Sequence, residues 1–338
     1  MSGDPPRSSD RMFFREAIAM AVGEAMRADP RVVVIGQDVG AFGGAYREFE
    51  GLYAEFGGSR VRDTPVSEAA CVGVGVGAAA AGLRPLVSIT YMDFILLGLD
   101  PLVNYGAKLR YKTAGALHAP VVVKTTAGAK GQGVSHSQCL EAWLMSVPGL
   151  RVVAPSNVAD AHGLMATALQ ADGPVVYVDH KKLFPFSGPA PSPSAVTPLG
   201  VAAVVRPGAD LTLASHGYMV RIALEAAERL AADGLEAEVI DLRSLSPLDA
   251  DTLCDSVART GRLLTLEEGQ LTGGVGAEVI ARVQERLGPF PAARVGALAA
   301  PVSSNPVLEA ACIPDAPRVA AAALALADVS RQRMIGQP

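Results

Sequence analysis

At 338 residues, half of them hydrophobic and only 5% aromatic, the chain is long enough for two domains of ordinary size. Its composition implies a core of Ala, Val, Leu and Gly. A net charge of −5 without basic clustering excludes nucleic acid or an anionic membrane surface as the expected partner.

The first twelve residues contain two Asp and no apolar h-region, so they are expected to form a polar tail and not a signal peptide. Helical periodicity runs from Phe14 to Ala28, and Asp29-Pro30 ends it. Arg31–Ile35 is expected to be a buried parallel strand. The glycine-rich stretch Gly36–Gly51 is long enough for a functional loop. Arg60–Arg62 is a short strand, and a helix over Ala69–Ala81 and a strand over Arg84–Thr90 follow. A helix closes at Ala107–Thr113, and Pro120–Thr125 is the next strand. The alternation continues with helix Leu140–Ser146, strand Arg151–Ala154, helix Ala159–Gln170 and strand Pro174–Val178. Such alternation predicts an α/β fold, a mostly parallel sheet flanked by helices.

Residues 184–198, dense in Pro and Ser, are expected to be a semi-rigid linker between a first domain (13–183) and a smaller α/β domain (199–329). The second domain has strands at Asp210–Ser215, Ala237–Asp241 and Arg262–Thr265. Its helices are expected at Val220–Asp233, Leu253–Thr260 and Val275–Leu287. Residues 330–338 are expected to be a loose tail. No apolar run is expected to span a membrane. Four widely spaced cysteines without CxxC or CxxH spacing fit a reducing cytoplasm and provide no metal site.

The chemistry is expected around Asp63-Thr64-Pro65-Val66-Ser67-Glu68, an acid between a Pro-containing turn and the small-residue run Cys71–Gly82. At that place Glu68 is either a helix-capping acid favoured by the macrodipole or a functional carboxylate with a partner. Gly73, Gly75 and Gly77 superficially resemble a dinucleotide fingerprint, but no strand leads directly into them, which argues against NAD. His136 follows a loop of small residues and is flanked by Ser137 and Gln138. His118 and His162 are expected at the surface. His216-Gly217 and Arg221 form a turn that could hold an anion. Glu267–Gly269 with Gly273–Gly276 suits an interface or a helix entry. No nucleophile elbow, P-loop or HExxH is present.

With these residues in place, the chain resembles the β subunit of the thiamine-diphosphate-dependent decarboxylase component of 2-oxo acid dehydrogenase complexes (pyruvate, branched-chain or acetoin type). The resemblance covers about 13–326 and rests on several motifs in order. They are Gly43–Tyr46, Asp63–Glu68, Asp93-Phe94 with Asp100 and Asn104–Tyr111, His136–Gln138, Pro148–Leu150 with Val152-Val153, Asp241–Asp249 and Glu267–Gly269. It implies a transketolase-like pyrimidine-binding domain followed by a transketolase-like C-terminal domain. Glu68 matches the glutamate that hydrogen-bonds the cofactor's aminopyrimidine ring and so helps activate the thiazolium carbon. Phe94 matches the aromatic residue packed on that ring, and Val66 and Thr90 fall at cofactor-binding positions. His136 matches the histidine at the substrate end.

Some positions depart from the pattern. Relatives often carry an acid where Gln37 stands and Gln or Glu where Thr90 stands. The acid with which several relatives bind potassium aligns with Ala171, one residue from Asp172, so that ion is not expected. Residues 301–306 also differ from the family's usual prolines and aromatics. The chain lacks the GDG…N segment that holds Mg²⁺ and the diphosphate, so the resemblance assigns both to an α subunit in an α₂β₂ heterotetramer. The further partner it implies is a lipoyl acyltransferase core, which takes up the acyl group from a 2-oxo acid or acetoin. Val178–Leu183 leans towards acetoin or branched-chain relatives. The competing readings are the C-terminal half of a split transketolase and a non-catalytic scaffold.

Overall fold

The computed structural model describes residues 10–335, with side chains to residue 328. The chain opens with β1 (Arg11–Phe13) and α1 (Phe14–Ala28), where Glu16 accepts the Phe13 N–H at 2.9 Å and so satisfies one free donor of the helix start. Then come β2 (Val32–Gly36), α2 (Leu52–Phe56), β3 (Val61–Asp63), α3 (Glu68–Ala80) and β4 (Arg84–Ile89). A 3₁₀ segment (Met92–Gly98) and a π-helical one (Asp100–Gly106) lead to α4 (Leu109–Lys112) and β5 (Val122–Ala127). The elements α5 (Glu141–Met145), β6 (Arg151–Val153), α6 (Val158–Gln170), β7 (Val175–His180) and β8 (Ser187–Pro189) complete the first half.

The second half holds β9 (Ala203–Arg206), β10 (Leu211–Ser215), α7 (Met219–Ala232), β11 (Ala237–Asp241), β12 (Ser244–Ser246) and α8 (Ala250–Thr260). It ends with β13 (Leu263–Gln270), α9 (Val275–Leu287), β14 (Ala292–Ala297), α10 (Pro306–Cys312) and α11 (Ala316–Ile335). Two α/β layers result. The first sheet has the order β12-β6-β7-β5-β4-β2-β3 and is parallel except for β12; the second is β14-β13-β10-β11-β9, parallel except for β9.

The sequence accounts for this arrangement. β2, β5, β7, β10 and β11 are buried at every position, as strands covered by helices on both faces must be. Small residues set the spacing between α3 and the sheet: a Cβ on Gly75 would come within 2.4 Å of Val87 on β4. The charged side chains buried on β5 and β7 are paired. Lys124 of β5, fully buried, lies 2.7 Å from Glu48 and 3.1 Å from Asp179 of β7. Burial lifts the Asp179 carboxyl to about 6 even beside that ammonium.

Several expectations are corrected. The polar tail assigned to 1–12 gives way at Arg11, where β1 pairs antiparallel with β8; residues 1–9 lie outside the described residues. The stretch 184–198, expected as a semi-rigid linker, is strapped to the first domain. Phe184 is buried, β8 pairs with β1, and Thr197 Oγ1 donates to Asp160 at 3.1 Å. In place of a loose tail from 330, α11 continues to Ile335. His162 is buried and faces Glu24 at 3.1 Å, because α6 presses against α1. By length and composition Pro306–Asp328 (mean hydropathy 1.3) could span a membrane. In the fold the helix breaks between α10 and α11, and the apolar face of α11 packs on α7.

Candidate active site

Glu68 owes its place to the turn before it. Asp63 Oδ1 accepts the Gly40 N–H at 2.7 Å, and the Thr64 N–H donates to Gly36 O at 3.0 Å, tying the turn to the end of β2. Ser67 Oγ donates to Pro65 O, and α3 then starts at Glu68. The half-buried Glu68 shares a shallow cleft with Gln37, Val66, Ser88 and Thr90. Gln37 and Thr90 directly follow β2 and β4, so the cleft opens at the carboxyl ends of parallel strands, the usual ligand edge of such sheets. Val66 is 68% exposed. The Glu68 carboxylate has no hydrogen-bond or ion-pair partner among the described residues. No basic residue lines this cleft.

Thr90 leads directly into a second group. The Tyr91 ring meets the His136 imidazole edge-on, with centroids 4.6 Å apart, and Phe94 meets it edge-on at 5.3 Å. His136 Nδ1 lies 2.9 Å from Ser135 Oγ. Asp93 Oδ1 accepts from the Gln138 side chain at 3.0 Å, while Asp93 Oδ2 and Ser137 Oγ are buried without partners among the described residues. The structure therefore brings Glu68, Val66 and Thr90 to one cleft. It sets Phe94 against His136 and joins the two groups through the segment Thr90–Phe94.

Residues that were not singled out as site residues hold this arrangement. Lys181 Nζ donates to Gly128 O at 2.8 Å and to His136 O, and it sits 4.9 Å from the centre of the Tyr91 ring. Burial lowers its pKa. Glu268, from the second domain, accepts the Ala129 N–H at 2.6 Å and pairs with His180 at 2.8 Å. Burial alone would raise the Glu268 carboxyl, but His180 and the Ala129 N–H hold it below the usual carboxylate range. The sequence signal that could have exposed these residues is the charged run His180-Lys181-Lys182 at the end of an apolar strand.

Between the domains lies a cavity of about 510 Å³, bounded by Ser137–Trp143 on one side and Glu267–Gly274 on the other. Burial, with added repulsion from Glu267 and Glu268, pushes the Glu141 carboxyl up to about 8. Glu267 caps α9 by accepting the Val275 and Gly276 N–H groups, both at 2.9 Å, which makes the Gly273–Gly276 turn a helix entry. The proposed anion turn at His216 is instead a packed position: burial lowers His216 to about 4, and the Arg221 guanidinium lies on the Phe186 ring.

Residues 10–187 match the transketolase pyrimidine-binding domain and residues 200–319 the transketolase C-terminal domain. The mitochondrial pyruvate dehydrogenase E1 component subunit beta-1 of Arabidopsis thaliana is 44% identical, over 81% of this chain and 77% of its own length. The β subunit of acetoin:2,6-dichlorophenolindophenol oxidoreductase from Cupriavidus necator is 38% identical, over 93% of this chain and 96% of its own. Among solved structures, a split gene transketolase described as an inactive β4 tetramer superposes with a TM-score of 0.75 at 26% identity, covering 93% of this chain and 98% of that one. Transketolase from Leishmania mexicana shares the fold, with a TM-score of 0.71 at 22% identity over 96% of this chain and 46% of its own. The chain belongs to the transketolase-like family that includes the β subunits of the pyruvate dehydrogenase E1 component and of acetoin oxidoreductase.

Proposed function

We propose that this chain is the β subunit of the decarboxylating first component of a 2-oxo acid dehydrogenase complex, or of its acetoin-cleaving counterpart, working with thiamine diphosphate and an α subunit in an α₂β₂ heterotetramer. The observation that carries the reading is the unpartnered Glu68 carboxylate at the mouth of α3, in a chain whose relatives match it along most of its length. Its donor set suits the pyrimidine end of the cofactor: a carboxyl for a ring nitrogen, the Thr90 hydroxyl and Gln37 amide for polar edges, and Val66 as an apolar wall. Without a cationic side chain, the cleft does not suit the diphosphate. We therefore assign the diphosphate and its Mg²⁺ to the α subunit. A potassium ion stays outside the proposal, because Ala171 stands where several relatives carry the acid that binds it.

When bound, thiamine diphosphate would supply the electron sink for cleaving the bond next to the oxo group. Glu68 holds or releases a proton at its carboxyl oxygen and so sets the tautomer of the pyrimidine. Phe94 supports the aromatic wall between that end and His136. His136, with Ser135 on Nδ1, keeps Nε2 for proton transfer at the substrate end, before the acyl group passes to a lipoyl domain of the acyltransferase core. Free thiols at Cys71, Cys139, Cys254 and Cys312 support a reducing cytoplasm as the place of action.

The test is reduction of an artificial acceptor by the chain alone and co-expressed with a candidate α subunit, with thiamine diphosphate, Mg²⁺ and pyruvate, acetoin or branched-chain 2-oxo acids. Activity is expected only in the pair, and the accepted substrate names the complex. The likeness to a split transketolase supports a second reading. Ketose-to-aldose transfer by the pair, without 2-oxo acid turnover, would select it, and a stable inactive pair would select the scaffold reading.

A further inference from the structure

The segment 128–138 leaves the end of β5 and carries His136. Ala127 of β5 is in register with His180 of β7, so Lys181 stands where this segment departs. The Lys181 side chain is fully buried, yet it has no carboxylate within ion-pair distance among the described residues. The contrast with Lys124 is instructive, since that ammonium is neutralised by Glu48 and Asp179. A buried ammonium without a counter-ion is costly unless its donors are filled. The Lys181 donors go to two carbonyls at opposite ends of one segment, Gly128 O and His136 O, and its charge faces the Tyr91 ring. Tyr91 in turn packs against His136, and its hydroxyl accepts from Gln132 in the middle of the same segment at 3.1 Å. Five contacts thus converge on the placement of one imidazole.

We infer that Lys181 is a positioning residue for His136: its ammonium closes the 128–138 segment and sets the imidazole against Tyr91 and Phe94. The inference rests on the proposed role of His136 at the substrate end. It assigns the ammonium to holding backbone, with no proton transfer of its own. Removing it would loosen the imidazole while leaving the Glu68 cleft intact, because Lys181 does not line that cleft.

The experiment compares wild type, Lys181→Met, His136→Ala and the double variant, each as the full chain in complex with the α subunit. Hydrogen exchange without substrate or cofactor is read first. Exchange across 129–138 is expected to quicken about ten-fold in Lys181→Met, the scale of losing hydrogen bonds from a charged donor, with β5 and β7 unchanged. Under turnover, Lys181→Met is expected to lower kcat while the thiamine diphosphate Kd stays at the wild-type value. The double variant is expected to be no slower than His136→Ala alone, the non-additivity of two residues acting through one step. Unchanged exchange across 129–138, or losses that multiply in the double variant, would overturn the inference. A wild-type pair inactive on every 2-oxo acid and on acetoin defeats the functional reading instead, and the exchange measurement still decides what Lys181 holds. Should Lys181→Met fail to fold, Lys181→Leu, which likewise removes every donor, is scored in the same way.

Discussion

Glu68 occupies the first turn of α3, where the helix dipole favours a negative charge, yet it makes no side-chain bond that would mark it as a structural cap. Glu68→Gln keeps shape and volume and removes only the ionisable oxygen. It is expected to lower turnover of the α-complexed chain by about 10²–10⁴-fold, the usual worth of positioned acid–base groups, with the thermal midpoint unchanged. Normal turnover in that variant would remove Glu68 from the site. The roles proposed for Glu68 and His136 can be read from the sequence because each sits within a short motif. What Lys181 and Tyr91 do cannot be read there, and the Glu267–Gly269 motif does not show what Glu268 bonds, because the partners lie far along the chain. Lys181 bonds a carbonyl 45 residues away and Glu268 an N–H 139 residues away. Local pattern carries no information about such pairings.

At the scale of elements, long periodic segments were readable and short ones were not. Helices α1 and α9 run over Phe14–Ala28 and Val275–Leu287, as their periodicity and their Pro or Gly borders imply. By contrast, β12 is a three-residue Ser-Leu-Ser strand, and β9 and β14 are edge strands of mixed exposure, too short or too irregular to show a period. The brief helix α5 places Glu141 beneath Glu267 and Glu268, which has a measurable result. Its folded pKa, about 8, lies above its unfolded value, so its contribution to stability is full below about pH 4.3 and is lost as pH rises towards 8. Glu141→Gln is therefore expected to raise the thermal midpoint at pH 8.5 much more than at pH 5. Equal shifts at both pH values would show that the carboxyl is not held neutral by its surroundings.

The whole molecule is braced across its two halves. Arg243, which follows β11, donates to Asp160 Oδ2 at 2.8 Å, and Ser156 Oγ donates to Asp241 at 2.5 Å. The Asp160 side chain is 2% exposed and that of Arg243 24%, so Arg243→Ala should cost about 2 kcal/mol in chemical unfolding, less than a fully buried pair would. Retained bonds from Asn157 and Thr197 to Asp160 keep the penalty moderate. The sequence marked the two-domain order through its Pro- and Ser-rich stretch. It did not reveal that β12, encoded after the second domain has begun, completes the first sheet by pairing with β6. For the ribosome this strand has a particular meaning. The leading domain emerges one strand short, with β6 as an open edge of the kind that recruits unwanted neighbours, until Ser246 has been translated. The first half of this protein is therefore complete only when part of the second exists, and a gene cut at the apparent linker would yield an adhesive fragment in place of a free-standing domain.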